Sequence, residues 1–482
     1  MSASAALPAG GSASVEAFRR LLESAAAAGP AESPVVLTER LVGAERADLL
    51  RRCAIPHDFD VALLAWLGGL DDTQAEERYA EFTELSLMQI GETALSLHER
   101  WRKPLWSWWL ADAQRAAFTA HSERLVAWFT RPPSPTGEDP ARRRRMFHLL
   151  GCRRADGLDE FERLMRAARH HHRLSECSLL LQLVREYGPV LAADEAARVA
   201  YHEGKLAIDR REWERARQVL RAVAGTPQAA PLLRLHAEVR AAHALRQLRR
   251  FDEARETLER ALALTDANPS VARSTWRVLY ELGEVERDLG HVDQAARTLA
   301  DALQRAADDG RADVAGIHNS LGTVQLRMRD VDAAIASFDA SLAALRAQGD
   351  GLRIGGVLNN LGIAQLERCN WAAASTAFAA SLDTKRAAGD LVGQATTLLN
   401  LGRAQAAQGL ADEARRSVAE AEALFQRAGD GPGRALAQQA LQRLAGAREP
   451  HAEPTHRLPW WAWLLLVLGL LLTVVTVFAR GI

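Results

Sequence analysis

The sequence predicts an all-α protein dominated by a solenoid of helical hairpins, and three observations carry that prediction. Leu-Gly recurs at Leu282-Gly283, Leu321-Gly322, Leu361-Gly362 and Leu401-Gly402, stepping by 39, 40 and 40 residues. Each glycine is followed twelve residues later by an alanine, at Ala295, Ala334, Ala374 and Ala414. Within each period the apolar residues recur at helical spacing rather than the alternation of a strand. Self-similarity at a fixed period is the signature of a stacked repeat. Such stacks usually work by offering an extended surface to a partner rather than by chemistry.

The chain begins with an Ala/Gly/Ser/Pro tract over residues 1–33. It lacks a basic start and a continuous apolar core, so it reads as disorder rather than a secretory signal. Residues 34–130 are helical but not repetitive. A first helix is expected over 38–53, ended by Pro56, a second over 59–67 behind an Asp58 cap, and a third over 79–88. Residues 87–90 and 94–97 read as two short strands around Gly91-Glu92-Thr93, and 105–129 returns to helix. Residues 131–194, with a Pro-rich start, are expected to be a linker and connecting helices.

Residues 195–430 then hold about six hairpins. In the unit from Gly316 to Gly355, Ile317, Leu321, Val324 and Leu326 face one way, and Met328 to Asp330 breaks the pattern. A second helix follows over 331–346, burying Ala334, Ile335, Phe338, Leu342 and Leu345. Gly322 and Ala334 are small where the two helices must approach, and Phe338 fills the space beyond. Gly-Asp closes units at Gly349-Asp350, Gly389-Asp390 and Gly429-Asp430, a glycine ending one helix and an aspartate starting the next. Residues 431–446 read as a capping helix and 447–457 as a linker.

The last segment is an expected membrane span. Residues 458–479 carry no charge, and as a helix they would reach about 33 Å, enough to cross the hydrocarbon core. Trp460, Trp461 and Trp463 crowd its entry, where amphipathic rings prefer the headgroup level. Arg443, Arg448 and Arg457 precede the span and Arg480 follows it. The expected topology is a single-pass, tail-anchored protein in a bacterial inner membrane with its bulk in the cytoplasm.

Charge and chemistry narrow the function classes. The chain balances 60 basic against 61 acidic residues, and all but three of the bases (Lys103, Lys205 and Lys385) are arginine. Four scattered cysteines with no paired spacing suit a reducing compartment. No phosphate loop, nucleophile elbow or zinc-protease motif is present, so no catalytic or cofactor site is predicted. His170, His171 and His172 point about 100° apart on a helix and read as an exposed polar stretch, not a metal site. Arg142 to Arg145 read as a solvated helix start, or a contact to anionic lipid. Glu76, Glu77, Glu81 and Glu84 would repel phosphate, so no nucleic-acid partner is expected.

The repeat resembles the tetratricopeptide repeat (TPR) family in its variety of about 40 residues per unit. Gly362, Trp371, Ala374, Phe378 and Ser381 carry the resemblance best. Degenerate units carry Gly204, Trp213, Ala216 and Leu220, then Ala242, Phe251, Ala254, Leu258 and Ala261. The resemblance implies that Asn319, Asn359, Asn360 and Asn400 face a concave groove and bond the backbone of an extended peptide, an amide offering both donor and acceptor. Thr323, Arg327, Ile363, Glu367 and Arg403 would line the same face. A solvated helix surface is the competing reading of these residues.

The stretches LTERLVGAERADLLRRCAIPHDFDVALLAWL and LSLHERWRKPLWSWWLADAQRAAFTAHSERLVAWF resemble, more weakly, the winged-helix module of STAND-type ATPases. Leu97-His98-Glu99 falls where that family has Met-His-Asp, whose histidine contacts the ADP phosphate. The chain carries no P-loop, so His98 could meet nucleotide only in trans, on a separate P-loop ATPase. Two functions are therefore expected as alternatives. One is a non-enzymatic, membrane-tethered scaffold that recruits a protein or peptide; the other is the regulatory half of a split ATPase switch.

Overall fold

Repetition in the backbone begins earlier than repetition in the sequence. The computed structural model describes residues 34–446, apart from Ser86, residues 131–139, Asp308 and residues 310–312. The tract 1–33, the linker 447–457 and the apolar segment with Trp460, Trp461, Trp463 and Arg480 lie outside the described residues. Among the described residues, no helix is long and apolar enough to cross a membrane. The chain divides into two units, one ending at Ala244 and the other starting at Leu245.

The first unit opens with α1 (Pro34–Val42) and α2 (Ala44–Cys53). The single helix expected over 38–53 is thus two, because Gly43 takes the left-handed φ of 83° between them. Next comes α3 (Val61–Gly68), capped by Asp60, whose carboxylate accepts from the Leu63 N–H at 2.7 Å, and not by Asp58. In α4 (Asp72–Thr83) a capping box of Asp71 and Gln74 sets the start. The helix expected over 79–88 is therefore shifted, and Met88 belongs instead to β1 (Met88–Ile90). That strand pairs antiparallel with β2 (Leu95–Leu97), Met88 opposite Leu97, and Phe59 bridges to Leu95. The helix expected over 105–129 is split by a short 3₁₀ turn into α5 (Glu99–Leu110) and α6 (Arg115–Trp128).

Then follow α7 (Pro140–Cys152), α8 (Arg154–His170), α9 (Leu174–Arg185), α10 (Ala193–Asp209) and α11 (Trp213–Ala224). One core runs from Leu50 and Phe59 through Phe82, Leu95, Trp106 and Phe118 to Phe147, Phe161, Tyr187 and Leu206. At its centre Trp106 stacks on Phe147 with ring centroids 5.3 Å apart, and the buried Tyr187 hydroxyl donates to the Phe147 carbonyl at 2.7 Å. The stretch expected as a linker and connecting helices contributes much of this core.

After α12 (Pro231–Gln247), the second unit holds α13 (Phe251–Ala267), α14 (Thr275–Leu289), α15 (Val292–Ala306), α16 (Val314–Arg327) and α17 (Val331–Gln348). It continues with α18 (Gly351–Glu367), α19 (Trp371–Ala387), α20 (Leu391–Ala407), α21 (Ala411–Ala428) and the closing α22 (Gly431–Gly446). The expected Gly-Asp junctions form: Gly349 and Gly429 are left-handed C-caps, and Asp350, Asp390 and Asp430 each accept a backbone N–H three residues on.

A left-handed residue recurs at the turn inside each hairpin, at His172, Arg211, Arg249, Gly290, Arg329, Cys369 and Gly409, in steps of 39, 38, 41, 39, 40 and 40. The next residue donates its N–H five residues back, as in Arg173 to Ala168, Glu212 to Ala207 and Asp330 to Gln325. Seven residues before each turn stands Gly204, Ala242, Gly283, Gly322, Gly362 or Gly402, except at the first, where Met165 stands. The pair α8/α9 is therefore a seventh hairpin, with Cys177 at the alanine position. Met165 and Cys177 are both fully buried.

Candidate protein-interaction groove

Close packing fixes which face of the second unit is inner. The glycines bring the hairpin halves together: a Cβ on Gly322 would stand 2.7 Å from Phe338, on Gly362 2.5 Å from Phe378, and on Gly402 2.5 Å from Val418. Among the described residues, first helices α14, α16, α18 and α20 each approach the next first helix, more closely than second helices approach one another. The asparagines stand on these first helices.

The asparagines form two ladders rather than one row. Asn400 Nδ2 donates to Asn359 Oδ1 at 3.1 Å, and Asn360 Nδ2 donates to Asn319 Oδ1 at 3.0 Å. Asn359 and Asn400 are 8% and 9% exposed, so their ladder is internal and bonds hairpin to hairpin. The Thr397 hydroxyl reaches Asn359 at 3.5 Å, and Lys385 Nζ donates to Thr397 at 2.8 Å and to the Gly393 carbonyl at 3.2 Å. Burial lowers the Lys385 pKa, and Asp390 partly restores it. Asn319 and Asn360 are half-buried, and among the described residues the Asn319 amide N–H groups and the Asn360 carbonyl keep unused bonding capacity.

The other groove residues divide in the same way. Thr323 bonds back to the Asn319 carbonyl at 3.0 Å, and Arg327 donates to the Arg287 carbonyl at 2.8 Å, tying α16 to α14. Ile363 packs beside Phe378 and Ala404. Glu367 is exposed and paired with Arg329 at 2.9 Å, and the exposed Arg403 reaches Asn400 at 3.4 Å. Sequence reasoning singled out Ser381 but missed the serine series to which it belongs on the second helices. Ser341 and Ser381 donate to the Ala315 and Gly355 carbonyls, and Ser337 and Ser417 donate to Gln325 and Gln405. Their 40- and 80-residue spacing was the available signal.

Nearer the N-terminus, His98 starts α5 with its backbone, its carbonyl accepting from Trp101 and Arg102. Its imidazole makes no capping bond and is exposed. A cleft of about 980 Å³ opens beside Trp106, between α5 and residues 182–192. Its cations are already paired: Arg102 with Glu186, Lys103 with Glu99, Arg115 with Asp112, Arg154 with Glu195 and Arg185 with Glu203. Among the described residues no group of acidic, histidine or cysteine side chains is arranged to hold a metal ion.

The family model for the tetratricopeptide repeat matches residues 239–268. These residues lie in the unit that looked degenerate, around Ala242 and Ala254. The chain carries a TPR-like solenoid. Its fold is that of a protein-interaction scaffold, a class of repeat that is generally non-enzymatic. No match was found among curated proteins. Among solved structures, BtubC (BKLC) from P. vanneervenii is similar at 20% identity, over 47% of this chain and 93% of that one, with a TM-score of 0.40. A STAND signal-transduction ATPase with a tetratricopeptide repeat sensor, from Pyrococcus horikoshii, is 11% identical over 85% of this chain and 64% of its own length, with a TM-score of 0.48. A Rap protein complexed with Competence and Sporulation Factor is 11% identical over 72% and 97% of the two chains, with a TM-score of 0.44.

Proposed function

We propose that the chain is a non-enzymatic scaffold whose solenoid binds an extended segment of a partner protein and whose apolar segment 458–479 tethers it to the cytoplasmic face of a bacterial inner membrane. The observation that carries the binding reading is the outer asparagine ladder. Asn319 offers N–H donors and Asn360 a carbonyl acceptor from neighbouring hairpins, matching the alternating needs of an extended peptide backbone. The inner ladder, Asn359 with Asn400, serves instead to hold the hairpins in register. The tether reading rests on the uncharged length of the segment and on Trp460, Trp461 and Trp463.

The test is capture of partners from detergent-solubilised membranes with the wild type and the Asn319→Leu/Asn360→Leu double variant, each checked for helical content. Loss of a specific partner from the variant supports the groove. If both proteins retain the same partners, the groove assignment fails.

A second reading, a regulatory half of a split ATPase switch, draws on the three helices α2–α4 followed by a β-hairpin, an order that suits a winged-helix module. It also draws on the exposed His98 ring at the start of α5. If His98→Ala leaves binding of every P-loop partner unchanged, that reading loses its site.

A further inference from the structure

We propose that the first unit carries a separate phosphoryl-binding site, formed by Arg166 on α8, Lys205 on α10 and Arg240 on α12, which takes a phosphorylated side chain of a partner segment. The three residues occupy one face of successive first helices, and two cross-helix contacts fix that alignment. Arg169 grips Asp209 through two bonds of 2.5 and 2.9 Å, setting the end of α8 against the end of α10. The Tyr201 ring stacks on His236, centroids 6.5 Å apart, setting α10 against α12. Lys205 lies one turn from both Tyr201 and Asp209, Arg166 one turn before Arg169, and Arg240 one turn beyond His236.

The charge balance at this place is what points to a ligand. Asp209 is the acid that faces the cluster, and it is already committed to Arg169. Arg198, lower on the same face, is likewise committed, to Asp159 and Glu162. Among the described residues Arg166, Lys205 and Arg240 have no carboxylate partner. The Lys205 ammonium instead sits 5.4 Å from the Tyr201 ring centre. This distinguishes the cluster from the cleft beside Trp106, whose cations are paired.

Lys205 faces Arg166 and Arg169 from α8, Tyr201, His202 and Asp209 on its own helix, and Arg240 from α12. Burial first, then the positive charges of Arg169 and Arg240, lower its pKa to about 8. His202 beside it is pushed down to about 3, chiefly by burial, and stays neutral. Beyond burial, the charges of Arg169, Arg240 and Arg166 place a positive potential at Lys205, and a bound anion relieves it. A single carboxylate would leave two of the three positive charges uncompensated; a phosphomonoester dianion leaves one. Two guanidinium forks around three phosphoryl oxygens also suit the geometry of charge-assisted bonding.

The chain has only three lysines, which makes the test direct. Full-length protein labelled with ¹³C-lysine gives three side-chain signals, and Lys205→Arg assigns one of them. Phosphoserine peptide, the same peptide unphosphorylated, inorganic phosphate and acetate are titrated in at equal ionic strength. The expected result is that phosphopeptide alone among the peptides moves the Lys205 signal and raises its pKa by about one unit, since the anion prefers the protonated amine. Arg166→Gln and Arg240→Gln should each weaken that binding by about tenfold and leave helical content unchanged. Affinity should fall as pH rises above 8, where Lys205 loses its proton. No movement of the signal, equal movement with acetate or the unphosphorylated peptide, or binding of inorganic phosphate without the phosphopeptide would each overturn the proposal.

Discussion

Gly362 shows what one missing side chain does in this chain. It sits mid-helix, where alanine is ordinarily the better residue by about 1 kcal/mol. A methyl there would stand 2.5 Å from the Phe378 ring, which is fully buried and cannot swing aside. Overpacking of that kind costs about 1–3 kcal/mol, so Gly362→Ala should lower stability in chemical denaturation despite its better propensity. Trimming the ring with Phe378→Leu should then cost less in the alanine background than in the wild type, a coupling of about 1 kcal/mol. Strict additivity would mean that the glycine has some other role. The same logic explains which residues could be read ahead of the structure. Glycine against a large side chain leaves a visible signature at Gly322, Gly362 and Gly402. Met165 and Cys177 fill the equivalent places of the first hairpin with residues of different bulk, so the repeat is not legible there in the sequence. For the asparagines the depth of burial was not legible in the sequence. Asn359 and Asn360 are adjacent in the chain, yet one is internal and the other half-solvated, because neighbours on a helix point about 100° apart.

Between elements, the interaction that joins α5 to the end of α9 is Glu186, which receives Arg102 at 2.8 Å and His57 at 2.8 Å. Burial works to raise its pKa, but the bonds from His57 and Arg102 outweigh it, and the net shift is downward. A carboxylate with a depressed folded pKa contributes stability above its unfolded pKa, and that contribution fades as acid protonates the folded state. Glu186→Gln leaves Arg102, 7% exposed, without its counter-charge. It should cost about 2 kcal/mol at neutral pH. Measured from pH 7 downward, the gap between variant and wild type should be constant to about pH 5 and then close. A gap that persists at pH 3 would show that shape, not charge, accounts for the loss. Nothing in the sequence placed Glu186 near His57, since 129 residues separate them. Local signals located the β-hairpin and the repeat hairpins closely, but they shifted or merged several early helices and missed the Asp71–Gln74 capping box. Contacts of that span were beyond their reach.

For the whole molecule, the proposed division of labour is between a surface that selects and a segment that places. A scaffold tethered at the bilayer raises the local concentration of whatever it holds there without any gain in intrinsic affinity. Deleting residues 447–482 should therefore release the protein from the membrane fraction while leaving its affinity for a groove peptide in solution within about twofold. Membrane retention of the truncated chain would show that another surface, such as Arg142 to Arg145, provides the anchor.

The seven left-handed turns have a consequence for how the molecule is made. Each closes its own hairpin through bonds five residues long, and among the described residues each layer from α14 onward packs chiefly on the layers beside it. The early core is different, since it draws on Leu50 and Leu206 alike. On the ribosome, residues up to Leu206 must therefore emerge before that core is complete. After that each further forty or so can dock as it appears, and synthesis and folding proceed at the same pace.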